Sequence, residues 1–336
     1  MKSFITETLN LVLHNTKSFE NVTFILPSQR AGVFVKQELK NKISTGFLPR
    51  VINIGDFVEE VSEIDSLDSL QLLFHFYGVY KKVVKHPDPF DTFSSWAITV
   101  LQDFNEIDQH LIPAKEIFTY LRDINRLQKW SGSETVSETT LMKSHFAFME
   151  QLYELYEHFY SFLVQEKQGY QGVLYRESVQ KLDAYISKHS SEKFFFIGFN
   201  ALNTAEEILF QKMLAAGNTQ VFWDIDKFFL ESKHQAGSFI RKYKANWKYY
   251  QKNPLETIAN NFQRPKNIEI IGAAKNITQI KYAGEVLSKL PKHHKTALVL
   301  GDESLLPITL NSFPENVEAV NITMGYPLKD VPLTGL

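Results

Sequence analysis

The sequence contains no cysteine. That excludes disulfides, thiolate-bound zinc, iron–sulfur clusters and a cysteine nucleophile at once, and it fits a chain of the reducing cytoplasm. No stretch approaches about 18 uninterrupted apolar residues, so no membrane span is expected. The first sixteen residues carry Glu7 and His14 and lack both an apolar core and a small-residue cleavage site, so they are not a signal peptide. Phosphate-cradling loops are missing too. There is no G-x-x-x-x-G-K-[ST], no G-x-G-x-x-G after a strand, no H-E-x-x-H and no G-x-S-x-G. Neither a cofactor nor a metal site is expected.

What is present is an ordinary globular balance, 44% hydrophobic and 22% charged, over 336 residues. That exceeds the about 250–300 residues at which one core stops growing, so two or three packed domains are expected. The net charge of -2 hides a polarised chain. Asp56 to Glu166 holds roughly 19 acidic against 8 basic side chains, and Lys227 to Lys295 roughly 14 basic against 4 acidic. Such asymmetry suggests surfaces with different partners, or two solvated faces with opposite bias.

The pattern begins as α/β. A short helix over Ser3–Leu13 precedes the apolar run Val22–Leu26, of the kind found in a doubly covered parallel strand. Ser28 is placed to cap a helix over Gln29–Lys42, and a second strand, Arg50–Ile54, leads into another helix. From Val58 to Lys188 no strand is evident. Apolar residues recur at helical spacing over Leu67–Val84, Phe93–Ile107, Ile117–Leu127 and Leu141–Leu163, where Phe146, Met149, Tyr153, Tyr156, Tyr160 and Leu163 form a core-facing stripe. Breaks fall at His86–Pro89, Pro113 and Ser131–Ser133. The α/β pattern then resumes with strands at Phe194–Ile197 and Val221–Asp224. Between them Thr204-Ala-Glu-Glu207 has a capping-box signature. A basic, aromatic helix is expected over Gln235–Tyr250. Last comes a β-α-β-α-β run with strands Ile268–Ile271, Thr296–Leu300 and Val317–Ile322 and helices over Thr278–Leu290 and Ser304–Phe313.

Few residues suggest chemistry. Asp224-Ile-Asp226 ends a strand where open α/β sheets bind ligands, and it either offers two carboxylates to Mg²⁺ or forms a solvated turn. His293-His294 is a surface turn rather than a metal pair, because adjacent residues point apart. Gln29 and Arg30 sit at a helix N-terminus, where free N–H groups favour an anion, although either could cap or pair instead. The basic run interleaves Arg241, Lys242, Lys244 and Lys248 with Phe239, Tyr243, Trp247, Tyr249 and Tyr250. Cations for phosphates beside flat faces for bases suit a single-strand groove; an amphipathic helix with its aromatics inward gives the same pattern.

The run Phe24-Ile-Leu-Pro-Ser-Gln-Arg-Ala-Gly32 resembles the start of AddB-type subunits of bacterial helicase–nucleases, most closely the Bacteroidetes-type proteins of the PD-(D/E)XK nuclease family. Similar segments follow in the same order: Gly169–Arg176, Phe196–Leu202, Phe222–Asp226, His234–Phe239 and Asn321–Leu328. The resemblance implies an α/β fold of the P-loop-NTPase, RecA-like kind. Residues 1–57 plus 190–262 would form the first RecA-like domain, 58–189 a helical inserted domain, and 266–336 the beginning of a second RecA-like domain. Gln29 and Arg30 would fall at a motif that contacts single-stranded DNA. Gly198 and Asn200 would stand where active relatives hold magnesium with Asp-Glu, and Asp224 and Asp226 near the nucleotide-sensing motif. With the phosphate loop absent and that acidic pair replaced, ATP hydrolysis is not expected.

The resemblance also implies that the chain is an N-terminal fragment of a DNA repair or recombination exonuclease, with the nuclease residues beyond Leu336. Its expected partners are single-stranded or unwinding DNA and a helicase subunit of the AddA type, without a membrane. The alternatives are a protein-only scaffold and a Mg-dependent small-molecule enzyme using Asp224 and Asp226.

Overall fold

The computed structural model describes residues 3–16, 18–43, 46–127, 140–255, 257–290, 296–323 and 325–326, with the side chains of 122–127, 140–147, 149 and 150 outside that description. His293-His294, Ser131–Ser133, the stripe residues Phe146 and Met149, and part of Asn321–Leu328 therefore lie outside the described residues. The chain divides into two compact units, Met1–Arg264 and Pro265–Leu336.

The strands of the first unit are β1 (Val22–Leu26), β2 (Arg50–Asn53), β3 (Asp65–Ser66), β4 (Gln168–Gly169), β5 (Lys193–Ile197) and β6 (Thr219–Phe222). Four of them form one parallel sheet in the order β2-β1-β5-β6. The first two apolar runs lie side by side, with Phe24 opposite Phe195, and Phe196 stands opposite Val221 of β6, which starts two residues before the expected Val221–Asp224 and ends at Phe222. Successive side chains point to opposite faces of a strand, which assigns each residue a layer. Phe24, Leu26, Phe195 and Ile197 pack with Leu9, Val12, Val35 and Leu39, which come from α1 (Phe4–Asn15) and α2 (Gln29–Lys42). Ile25, Phe194 and Phe196 face the other way, into a larger cluster. As expected, Ser28 caps α2, accepting the Ala31 N–H at 3.2 Å.

That larger cluster is built by α3 (Ile54–Ser62), α4 (Ser69–Val83), α5 (Phe90–Gln109), α6 (Ala114–Leu127), α7 (Thr140–Glu166), α8 (Gln171–Lys188) and α9 (Thr204–Ala215). The Phe76 ring meets Phe93, Phe104 and Phe159 with centroids 4.9–5.7 Å apart. Phe57 sets its edge against both Tyr185 of α8 and Phe196 of β5. Sheet and helices therefore share one continuous core. The segment expected to lack strands holds one small parallel pair, β3 with β4. Two polar pairing residues leave no periodicity to detect. The cap of α9 is Asn203 with Glu206, one residue earlier than the signature suggested. The Asn203 side chain takes the Glu206 N–H at 2.8 Å, which makes Thr204 the first helical residue.

A buried polar hub joins α5, α7 and α8. Asp108 is fully buried. Its carboxylate accepts the Tyr156 and Tyr170 hydroxyls and the Arg176 Nε–H, each at 2.6 Å. Arg176 also donates to the carbonyls of Ile107 and Ile112 at 3.1 and 2.8 Å. Burial pushes the Asp108 carboxyl above the usual aspartate range, against the pull of the two hydroxyls and the guanidinium. Burial, and then the carboxylate, raise the pKa of both tyrosines. Gly172 lets the helices close: a Cβ there would sit 2.5 Å from the Asn105 carbonyl oxygen.

After β6 the chain forms α10 (Lys227–Glu231), α11 (Ser238–Asn246) and α12 (Lys248–Lys252). The single helix expected over Gln235–Tyr250 is broken at Trp247, whose backbone is extended. The second unit contains α13 (Asn276–Ser288), a 3₁₀ turn at Glu303–Leu305 and α14 (Leu306–Leu310). None of its expected strands forms among the described residues. A parallel strand needs ladder partners and a covering on both faces. Here Ile270 is 93% and Val299 85% exposed, so neither run gains a covering layer. Both units together are mixed α/β and mostly helical.

Removing Arg176 should strand a buried carboxylate. Arg176→Ala should cost about 3–5 kcal/mol in urea unfolding, and Arg176→Lys should recover part of it, because an ammonium cannot span the carboxylate and both carbonyls. Tyr156, Tyr160, Tyr170 and Tyr175 all have raised folded pKa values. Their contribution is thus complete below the unfolded value of about 10 and is lost as pH rises through it towards the folded values. The melting temperature should hold between about pH 8 and 9.5 and fall above about pH 10, with tyrosinate absorbance appearing together with unfolding.

Candidate nucleic-acid interface

Parallel α/β sheets present ligand sites beyond the carboxyl ends of their strands. Past β1 the chain turns through Pro27-Ser28 into α2, leaving Gln29 and Arg30 exposed on its first turn. One turn further, Val33 and Phe34 are also exposed, Phe34 by 51%. The inward face of α2 is filled by Gly32, Val35 and Leu39, so the two apolar side chains face solvent beside Arg30. Phe34 is not among the expected contacts; its signal in the sequence is the apolar triplet Val33-Phe34-Val35, of which a helix can turn only part inward.

Past β5, Gly198 takes a left-handed conformation with φ 83° and donates its N–H to the Phe222 carbonyl at 2.9 Å. Phe199 turns back onto Phe196 and Phe210, at centroid distances of 6.0 and 5.0 Å. Asn200 stays exposed. Beyond β6, Asp224 is exposed and partial desolvation raises its carboxyl pKa. Asp226 does a different job. One of its oxygens accepts the Phe228 N–H and caps α10, while the other accepts the N–H groups of Asn261 and Phe262. The Asp-Ile-Asp run therefore does not offer two open carboxylates. Among the described residues no group of three His, Asp or Glu side chains could hold a metal ion. Of the two readings of Asp224-Ile-Asp226, these contacts of Asp226 favour the turn.

The basic run separates by role. Arg241 donates to the carbonyls of Phe229 and His234, the latter at 2.7 Å, and so pins the turn before α11. Gly237 makes room for it, since a Cβ there would collide with both the Phe229 carbonyl oxygen and the Arg241 guanidinium. Lys242 pairs with Glu207 at 2.7 Å. Lys244 and Lys248 are exposed. Trp247, expected as a stacking platform, is only 2% exposed. Its ring packs on Tyr243 and Trp223 at 4.8 and 5.9 Å, and the Trp223 indole N–H donates to the Tyr250 hydroxyl at 2.7 Å. Burial pushes the Tyr250 hydroxyl up. The aromatics of this run are mostly core, and Trp247 is withdrawn as a base-stacking residue; Phe239, 46% exposed, keeps a solvent face.

Three of the segments that carried the resemblance thus have structural roles: Tyr170, Gly172 and Arg176 at the hub, Gly198 at the end of β5, and Gly237 under Arg241. In comparison with known proteins, no family model matches this chain, and no curated protein matches it.

Trp247→Ala should cost about 3–5 kcal/mol in urea unfolding, the scale for emptying a large buried aromatic site. Trp247→Phe should retain the fold and leave any oligonucleotide affinity unchanged, as measured by fluorescence anisotropy.

Proposed function

We propose that this chain is a non-catalytic, RecA-like DNA-handling region that holds a single strand across the carboxyl ends of its parallel sheet. The observation that carries this reading is the first turn of α2. Gln29 and Arg30 are exposed there, at a helix N-terminus, directly after the central strand β1. The positive end of a helix and an exposed guanidinium suit phosphates, and Phe34, one helical turn away, offers a face for a base. Lys244 and Lys248 add exposed positive charge on α11 and α12. The resemblance to AddB-type subunits supports the same reading and adds a partner helicase subunit of the AddA type and a nuclease context in the whole protein. The structure also favours a second reading, a scaffold that binds only protein: the burial of Trp247 and the tying of Arg241 and Lys242 remove three of the seven expected DNA contacts.

Fluorescence anisotropy with a labelled oligonucleotide at two salt concentrations separates the two. DNA binding should weaken with log salt at roughly -0.7 per neutralised phosphate. Arg30→Ala and the pair Lys244→Ala/Lys248→Ala should lower affinity for all sequences and flatten that slope. Phe34→Ala should cost about 1–3 kcal/mol with the slope unchanged. No binding at about 50 mM salt would leave the protein-only scaffold.

A further inference from the structure

Asp226 makes more bonds than a helix cap needs. One carboxylate oxygen accepts the Phe228 N–H at 3.0 Å and caps α10. The other accepts two N–H groups from far along the chain, Asn261 at 2.5 Å and Phe262 at 3.0 Å. The backbone closes the same junction: Asp226 and Ala259 form a parallel bridge, and the Lys227 N–H donates to the Ala259 carbonyl at 2.9 Å. Phe262 lays its ring against Phe228 and Phe229, at centroid distances of 4.8 and 4.4 Å. Residues 257–264 thus lie along α10 as a strap, and Arg264 ends the first unit.

The two sides of this junction are anchored unequally. α10 is held from behind, because Leu230 is buried in the main core and the Phe229 carbonyl accepts the Arg241 guanidinium. The strap lacks such backing. It forms no helix or strand of its own, and Asn260, Phe262, Gln263 and Arg264 are exposed. Among the described residues the last buried side chain before it is Leu255. Segments with few buried contacts and solvent-exposed hydrogen bonds open first. Bonds to a carboxylate are roughly twice as strong as neutral ones, which is how so thinly packed a segment stays fastened.

We propose that residues 257–264 are a releasable strap fastened by Asp226, which gives the chain leading to the second unit two lengths. Fastened, that chain departs from the side of α10. Released, the about ten residues between Leu255 and Pro265 become tether, with a full reach of about 33 Å and a typical span of about 17 Å. A longer tether dilutes the second unit around the first, so the strap is a control point for any ligand that engages both. The inference is independent of what lies across the strand ends.

Asp226→Ser separates the two jobs of the carboxylate: a serine hydroxyl still caps α10 but does not extend to the strap as well. In native-state hydrogen exchange of the unaltered chain, the Lys227, Asn261 and Phe262 amides should open together and faster than Phe195 and Phe196 of β5. In Asp226→Ser they should exchange at least tenfold faster, with Phe228 and β5 unchanged. Chymotrypsin cleavage after Phe262, which requires the strap to lift, should accelerate to the same degree. The chain has no cysteine, so spin labels at Gln37→Cys and Lys281→Cys, one in each unit, report the span directly; Asp226→Ser should broaden their distance distribution. Strap amides that exchange no faster than those of β5 would overturn the proposal, because the strap would then belong to the folding unit of the sheet. An unchanged distance distribution would overturn it as well. If Asp226→Ser does not fold, Phe262→Ala, which leaves the carboxylate in place and removes the ring contacts, should move all three readouts in the same direction, and exchange in the unaltered chain still decides whether the strap opens by itself.

Discussion

The buried Asp108 carboxylate governs how the first unit is assembled. A charge removed from water is tolerated only with a full set of partners. Asp108 obtains them from three places at once: Tyr156 on α7, Tyr170 at the start of α8, and Arg176 two turns into α8. That requirement fixes the register of α5 against α8, and Gly172 permits the approach. From α8 the constraint passes on through Tyr175, whose hydroxyl donates to Glu206 at 2.6 Å. Glu206 is also the third residue of the α9 capping box. Helical segment and sheet are thereby joined through hydrogen bonds as well as through the shared apolar core.

Much of the sheet was legible because β1 and β5 are apolar on both faces, which a surface strand avoids. Ser28 announced α2 for the same local reason, a hydroxyl placed to take an orphan N–H. The failures have a common origin. Trp247 breaks a helix with no proline or glycine to mark it, because its ring is drawn onto Trp223 and Tyr243. The runs at Ile268–Ile271 and Thr296–Leu300 have strand composition, yet a strand is a property of a pair, and composition cannot supply the partner. β3 and β4 illustrate the converse: pairing without any pattern.

The site was harder to read than the fold. Counting charges located the basic segment, but charge says nothing about where a side chain spends its hydrogen bonds. Arg241 and Lys248 look alike in sequence; one holds a turn together and the other faces water. Aromatic content misled in the same direction, since the interleaving that suits stacking on bases also suits packing on a core. Phe34 was overlooked for the opposite reason, as an apolar residue in a helix is ordinarily assigned inward.

The shared core bears on how this architecture can be taken apart. Phe57 touches Tyr185 on one side and Phe196 on the other, so the plane along which the helical segment would be cut from the sheet runs through packed rings. A gene fragment encoding only the helices would expose that surface, and a sheet deprived of them would lose the lid over Phe194 and Phe196. The segment is inserted in the order of the chain but not detachable in space. In evolutionary terms it cannot be exchanged as a cassette: substitutions at the seam on α3, α8 and β5 must be matched across it, and the two halves must diverge together.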